Sequence, residues 1–341
     1  MMSAVLSNPS HPKYGVATIP FPIPRDQYAH CVELLEALEI GDAVKADCKV
    51  EKIDSFYSVL KRTEMLTVNM EELNYLAKRL ESFDTGEAAQ FQAMAHKLEL
   101  FELKDLINLT FCCQQATVIT DFSDLAAIGR DHYMNLHGGS ASVDELNKLD
   151  GKGTARQLIE SGSGTVTPYG VVYDNGMKLE QVYDGRFFPC YYYEPNVITV
   201  AVTSKTEPED TNHITWLFLP MVQEEIDRAL LRGGITDPSE IRLSLEDSWL
   251  PHEVLDLLDM DHVAISELNA LVQALDEFSD MSIRKYAAAA VMARPHTTEQ
   301  AKHLAENLDL FDFAPSASTP EECGKYMIQQ SGHFDYDENL D

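Results

Sequence analysis

Glu72-Leu73-Asn74 opens a segment whose apolar residues fall at Leu73, Leu76, Leu80 and Phe83, and Glu267-Leu268-Asn269 opens another with Leu268, Leu271, Leu275 and Phe278. Both runs follow i, i+3, i+7, i+10, the stripe of an amphipathic helix with one buried face. The two copies stand 195 residues apart, and the offset continues through Phe91 and Tyr286 to Ala93/Ala288 and Ala95/Ala290. Gly129 and Gly324 keep it as well, each followed by a basic residue, and Ser123 matches Ser318. Asn108-Leu109 and Asn307-Leu308 correspond after a slip of a few residues.

Upstream the pairing continues with gaps. Pro22-Ile23 aligns with Pro220-Met221, and each is followed by a helical pattern: Tyr28, Val32 and Leu35 in one copy, Ile226, Leu230 and Leu231 in the other. A short strand-like run then closes on Asp54-Ser55 or Asp247-Ser248. The period is far too long for a solenoid, so the pattern predicts a domain duplication.

The order of patterns predicts an α+β chain of several domains, in which two related α+β units with small helical bundles flank an antiparallel β meander. Residues 1–13 read as a loose leader. The first unit spans Tyr14 to Asn135, with helices over Asp26 to Leu38, over Met70 to Lys97 (broken at Asp84-Thr85-Gly86) and around Leu103 to Leu109. A last short helix ends near Gly129. The middle, 136–206, holds a helix over Val143 to Ile159 and strands over Val166–Tyr173, Met177–Tyr183, Arg186–Tyr193 and Val197–Thr203. Asn175-Gly176 and Asp184-Gly185 between apolar runs are strong hairpin signals. The second unit occupies 207–334, its likeness to the first beginning near Thr211, and 335–341 is an acidic tail.

The chain carries 56 acidic against 26 basic residues, a net charge of -30. That argues against binding to nucleic acid or an anionic membrane, because phosphate contacts need Lys and Arg. It points toward basic partners. From Glu207 to Asp280 there are 18 acidic residues and three basic ones, Arg228, Arg232 and Arg242, whereas Gly138 to Lys205 carries 8 and 6. The charge therefore belongs to the repeated units, which a uniform solubility coat would not produce. Met1 to Pro9 lacks the basic start and apolar core of a signal peptide, and no run is long enough to span a bilayer, so a cytoplasmic protein is expected. The six cysteines (Cys31, Cys48, Cys112, Cys113, Cys190, Cys323) are scattered and read as free thiols.

Catalytic signatures are scarce, and no enzyme activity, cofactor or metal is expected. Gly151-Lys152-Gly153-Thr154 lacks the first glycine and the Ser or Thr of a phosphate-binding loop and reads as a turn that opens a helix. Gly162-Ser163-Gly164 lacks the nucleophile-elbow spacing and reads as linker. Asp131, His132 and His137 have ligand chemistry, but the histidines are five apart beside Gly138-Gly139, which suggests a loop. Phe187, Phe188, Tyr191, Tyr192 and Tyr193 read as core and hairpin packing, since only Arg186 is close by to hold a phosphate.

The positive signal is acidic. Glu253, Asp256 and Asp259 follow i, i+3, i+6, and Asp276 with Asp280 is i, i+4, so on a helix these carboxylates stand roughly 5–6 Å apart. That is close to the phosphate spacing along a DNA strand. DNA carries about two charges per base pair, so a chain at -30 matches about 15 base pairs. Candidate partner-binding residues are Glu224, Glu225, Asp227, Glu246, Asp247, Glu253, Asp256, Asp259, Asp276, Glu277 and Asp280.

The Glu-Leu-Asn segments at 72–80 and 267–275, the run Leu106-Ile107-Asn108-Leu109-Thr110-Phe111, and Trp216-Leu217-Phe218-Leu219-Pro220 leading into the acidic second unit resemble ArdA-type antirestriction proteins, especially those of conjugative elements in Gram-positive bacteria. The resemblance implies an elongated, non-enzymatic DNA mimic that blocks type I restriction-modification enzymes and protects incoming mobile DNA. It covers both repeat units but not Gly138 to Lys205. Such proteins usually carry one unit and dimerise. Here two units lie in tandem, either replacing a homodimer or adding to one, and the first is less acidic at its start (Lys45, Lys49, Lys52, Lys61, Arg62). The competing expectations are a cytoplasmic adaptor for a basic protein, and a hydrolase or metal-dependent enzyme. Carboxylates in two helical rows favour the mimic, and scattered ones favour the adaptor.

Overall fold

The computed structural model describes residues 2–256 and 258–331. Helices make up 46% and antiparallel strands 16%, which places the chain in the α+β class. Its contacts group it into two compact units: Met1–Glu194 with Asn212–Thr215 and Val222–Thr236 form the first, and Pro195–Thr211 with Trp216–Met221 and Asp237–Asp341 form the second.

In the first unit, β1 (Met2–Ser7) lies between β2 (Val16–Phe21) and β3 (Cys48–Asp54), antiparallel to both, and β4 (Thr67–Val68) pairs with β3. Ala4 stands opposite Ile19 on one side and Ile53 on the other. Residues 2–7 of the loose leader expected over residues 1–13 are thus a central strand instead. Met2, Ala4 and Leu6 alternate toward the core, the period of a half-buried strand.

Helix α1 (Tyr28–Glu36) buries Tyr28, Val32 and Leu35. In α2 (Met70–Glu81) the N-cap Asn69 accepts the Glu72 amide, and Leu73, Leu76 and Leu80 face the core. Asp84 and Glu87 form a reciprocal capping box at the start of α3 (Thr85–Lys97), which is why the helical pattern breaks there. Then come α4 (Leu103–Leu109), β5 (Thr117–Ile119) and α5 (Leu125–Leu136), which runs through Gly129 rather than ending at it. Gly129 has a packing reason: a Cβ there would lie 1.8 Å from the Gly151 carbonyl oxygen. The single helix expected over Val143 to Ile159 is two, α6 (Val143–Lys148) and α7 (Gly151–Glu160). Asp150 divides them by accepting the Gly153 amide, and Gly151 opens α7.

The middle is not a meander. Strands β6 (Thr165–Thr167) and β7 (Gly170–Tyr173) replace the single strand expected over Val166–Tyr173, and β7 pairs with β5 and β6. Met177–Tyr183 and Arg186–Tyr193 form no strand. Their groups are committed to the helices instead. Asn108 both donates to the Tyr183 carbonyl and accepts its amide, the Tyr75 and Phe188 rings stack at 4.6 Å, and the Tyr75 hydroxyl donates to the Pro189 carbonyl.

The strand expected at Val197–Thr203 exists as β8 (Ile198–Ser204), but it is the middle strand of the second sheet, between β9 (Thr215–Leu219) and β10 (Ile241–Ser248). Helix α8 (Gln223–Arg232) belongs to the first unit. The second unit continues with α9 (His252–Leu255), α10 (Ile265–Asp276), α11 (Asp280–Ala293), α12 (Thr298–Glu306) and α13 (Pro320–Ser331). The acidic tail at 335–341 and the expected end of the second unit at 334 lie outside the described residues. Among those described, no helix is long and apolar enough to cross a membrane.

The same local construction recurs in each unit. Its three main strands run with the first in the middle. The second of them ends at a cis proline, Phe21-Pro22 or Leu219-Pro220. The next residue's amide donates to an asparagine on the following amphipathic helix: Ile23 to Asn74 at 2.8 Å, Met221 to Asn269 at 2.9 Å. Beyond that helix, the rings of Phe83 and Phe91 meet edge-on at 6.2 Å and 72°, and those of Phe278 and Tyr286 do so at 6.2 Å and 72°.

Candidate functional site

Helix α8 begins with Glu224 and Glu225 and ends with Arg232, a charge order that suits the helix dipole. Ile226 and Leu230 are buried. The Arg228 Nε donates to Glu71 at 2.6 Å and its Nη2 to the Gly41 carbonyl at 2.7 Å, while the Tyr28 hydroxyl donates to the same Glu71 oxygen. Burial, and then the charge of Glu71, push the Tyr28 phenol well above its ordinary pKa. Burial alone would lower Arg228, but Glu71 and Tyr28 more than offset it and hold the guanidinium charged.

Arg232 is 4% exposed. Its guanidinium donates to the Ala43 and Arg186 carbonyls, to the Asn69 side chain and to the Tyr183 hydroxyl, lies 4.4 Å from the Phe188 ring centroid and stands 3.7 Å from Glu72. Such a guanidinium is satisfied by a fork of acceptors that lysine could not match. Two of the three arginines in the Glu207–Asp280 stretch are therefore spent inside the first unit. The third, Arg242, has a buried Nη1 without a hydrogen-bond partner. The sequence reading missed this use, although two arginines four residues apart in an acidic stretch mark one face of a helix.

The eleven candidate carboxylates divide between the units. In the first, Glu224 and Asp227 are exposed on α8, with Asp227 accepting from Gln223, and Glu225 pairs with Lys78 at 3.3 Å. In the second, Glu246 and Asp247 are exposed at the end of β10. Glu253 lies on the single turn of α9, Asp256 just past its end, and Asp259 beyond it, bonded to His262 at 2.8 Å. The i, i+3, i+6 row is thus not on one helix. Nor is the Asp276/Asp280 pair: Asp276 ends α10, Glu277 caps it, and Asp280 starts α11 after Ser279 caps the new helix by accepting the Ser282 amide. Like charges at i, i+4 oppose helix continuation and a serine cap favours a restart, so the chain turns where the spacing suggests a row.

Charge compensation is nevertheless sparse. Eight of the eleven (Glu224, Asp227, Glu246, Asp247, Asp256, Asp276, Glu277 and Asp280) have no Lys, Arg or His nitrogen within 4 Å among the described residues, and all eight are exposed. The second unit as a whole carries 25 acidic and 7 basic residues.

Elsewhere, His132 Nδ1 lies 2.9 Å from the Thr117 hydroxyl and burial lowers its pKa, while His137 Nδ1 lies 2.7 Å from the Tyr133 carbonyl. Asp131 is raised by burial and then by Asp124. No cluster of three potential metal ligands occurs among the described residues. The aromatic group is used in packing: the Tyr191 and Phe111 ring centroids each lie 4.4 Å from the Arg79 guanidinium, and Phe187 stacks on His213 at 4.7 Å. Set against family models, curated proteins and solved structures, the chain matches none.

Proposed function

We propose that the protein is a non-enzymatic DNA mimic that occupies the DNA-binding site of a type I restriction-modification complex or a related defence enzyme, and that it arose by duplication of one α+β unit. The observation that carries the reading is the set of eight exposed carboxylates without Lys, Arg or His partners, six of them in the second unit, against half-buried Arg228 and buried Arg232, both held on acceptors inside the first unit. A folded acid-rich surface with few cations beside its carboxylates presents negative charge outward. That is what a protein evolved to hold phosphates would meet. The matching asparagine bonds and aromatic pairs of the two units support the duplication, and the resemblance of the Glu-Leu-Asn segments supports the target class. The test is plating unmodified phage on restricting cells with and without this gene. The expected result is plating raised toward that of a non-restricting host, and unchanged restriction with the protein expressed would overturn the proposal.

The absence of helical rows favours a second reading, an acidic adaptor for a basic protein without DNA mimicry. The two part on competition: duplex DNA displaces a mimic from its partner and leaves an adaptor in place.

A further inference from the structure

A cleft of about 290 Å³ opens in the first unit where the chain leaves β3 and where α2 meets α3. Phe21, Ala77 and Leu80 are among the apolar residues that line it, Glu81 and Asp84 contribute carboxylates, and no Lys or Arg lines it. Both acids are held in position. Tyr193 donates its hydroxyl to Glu81 at 2.5 Å, and Asp84 accepts the Glu87 amide at 2.8 Å as the cap of α3. Phe56, also part of the lining, is 73% exposed, and its ring meets Tyr57 edge-on at 5.5 Å.

This volume is at the lower limit for a drug-sized ligand and suits a single long side chain. An apolar lining with acids and an open aromatic face matches a side chain with an aliphatic stem and a cationic end. Arginine fits better than lysine, because its planar guanidinium stacks on a ring and also pairs with carboxylate oxygens. We propose that this cleft seats an arginine side chain of the basic partner. The proposal rests on the reading above and adds to it an anchor that plain phosphate mimicry lacks.

The sequence of the second unit carries partly matching residues at the corresponding positions. Trp249 follows Asp247-Ser248 as Phe56 follows Asp54-Ser55, and it is 46% exposed. Asp276 stands 195 residues beyond Glu81 and Ser279 the same distance beyond Asp84, with Asp280 next to it at the start of α11. Three of the candidate carboxylates, Asp276, Glu277 and Asp280, thus lie at this junction of α10 and α11.

The test places 4-fluorophenylalanine at position 56 of the full chain and titrates it with acetyl-tetra-arginine amide, with the neutral acetyl-tetra-citrulline amide as control. A saturable fluorine shift with tetra-arginine is expected, at least tenfold weaker with tetra-citrulline and weakened at least threefold in Glu81→Gln. The same label at exposed Phe122 should respond at least tenfold more weakly. No saturable shift, an equal response to citrulline, or an equal shift at Phe122 overturns the proposal. The titration contains no defence enzyme, so its outcome and that of the phage assay are separable.

Discussion

Asn269 accepts the Met221 amide through Oδ1 at 2.9 Å and returns a bond from its Nδ2 to the Met221 carbonyl at 2.8 Å, with Asn269 4% exposed. In the first unit Asn74 Oδ1 likewise accepts the Ile23 amide, at 2.8 Å. Each asparagine fixes the chain just after a strand to the helix that carries the apolar stripe. Replacement by leucine leaves a buried amide without an acceptor, which costs about 1–3 kcal/mol. Asn74→Leu should lower hydrogen-exchange protection around Ile23, and Asn269→Leu around Met221. Unchanged protection in both would show that these bonds contribute nothing.

Gly129 and Gly324 separate a packed helix from an open one. Gly129→Ala drives a Cβ into the Gly151 carbonyl and should destabilise by several kcal/mol, since backbone cannot yield as a flexible side chain does. A Cβ at Gly324 meets nothing within 4 Å, so Gly324→Ala should be neutral or stabilise α13 by about 0.5–1 kcal/mol. Urea midpoints compare the two.

Arg232→Met should cost about 3–5 kcal/mol, because it strands buried acceptors around Glu72 and Asn69. Arg232→Lys should rescue little of this, since lysine keeps the charge but not the fork. Chemical denaturation of both variants against the parent measures it, and full rescue by lysine would show that charge alone matters.

His132 supplies a pH dependence. Burial depresses its folded-state pKa below the ordinary 6.5, so the unfolded chain takes up a proton first. The contribution is neutral at pH 7.5 and becomes a loss as pH falls from about 6.5 toward the folded value. His132→Gln should therefore flatten the fall in Tm between pH 7 and 5, and an identical slope in parent and variant would contradict the assignment.

The helices α2, α3 and α10 were readable because a 3.6-residue stripe is a local signal, and Asp84-Thr85-Gly86 marks the break between α2 and α3 within one turn. Strand β1 escaped reading because its partners Ile19 and Ile53 are distant in sequence and Asn8-Pro9 resembles a frayed end. The roles of Arg228 and Arg232 were hidden for the same reason, as Glu71 and Asn69 lie more than 150 positions away. For the candidate surface, composition revealed which residues are acidic and exposed. Spacing misled on their arrangement, because it cannot show that a helix ends at Leu255 or restarts at Asp280.

The central claim is that this acidic surface takes the place of DNA. The most direct measurement is displacement of a labelled duplex from a purified type I restriction enzyme by the intact protein, at 50 and 200 mM salt. The predicted result is competitive displacement whose affinity falls at least tenfold with the added salt, as expected when several ion pairs replace phosphate contacts. Simultaneous Asp→Asn and Glu→Gln changes at Glu246, Asp247, Asp256, Asp276, Glu277 and Asp280 should abolish it. Failure to displace the duplex, or an affinity equal at both salt concentrations, would contradict the account.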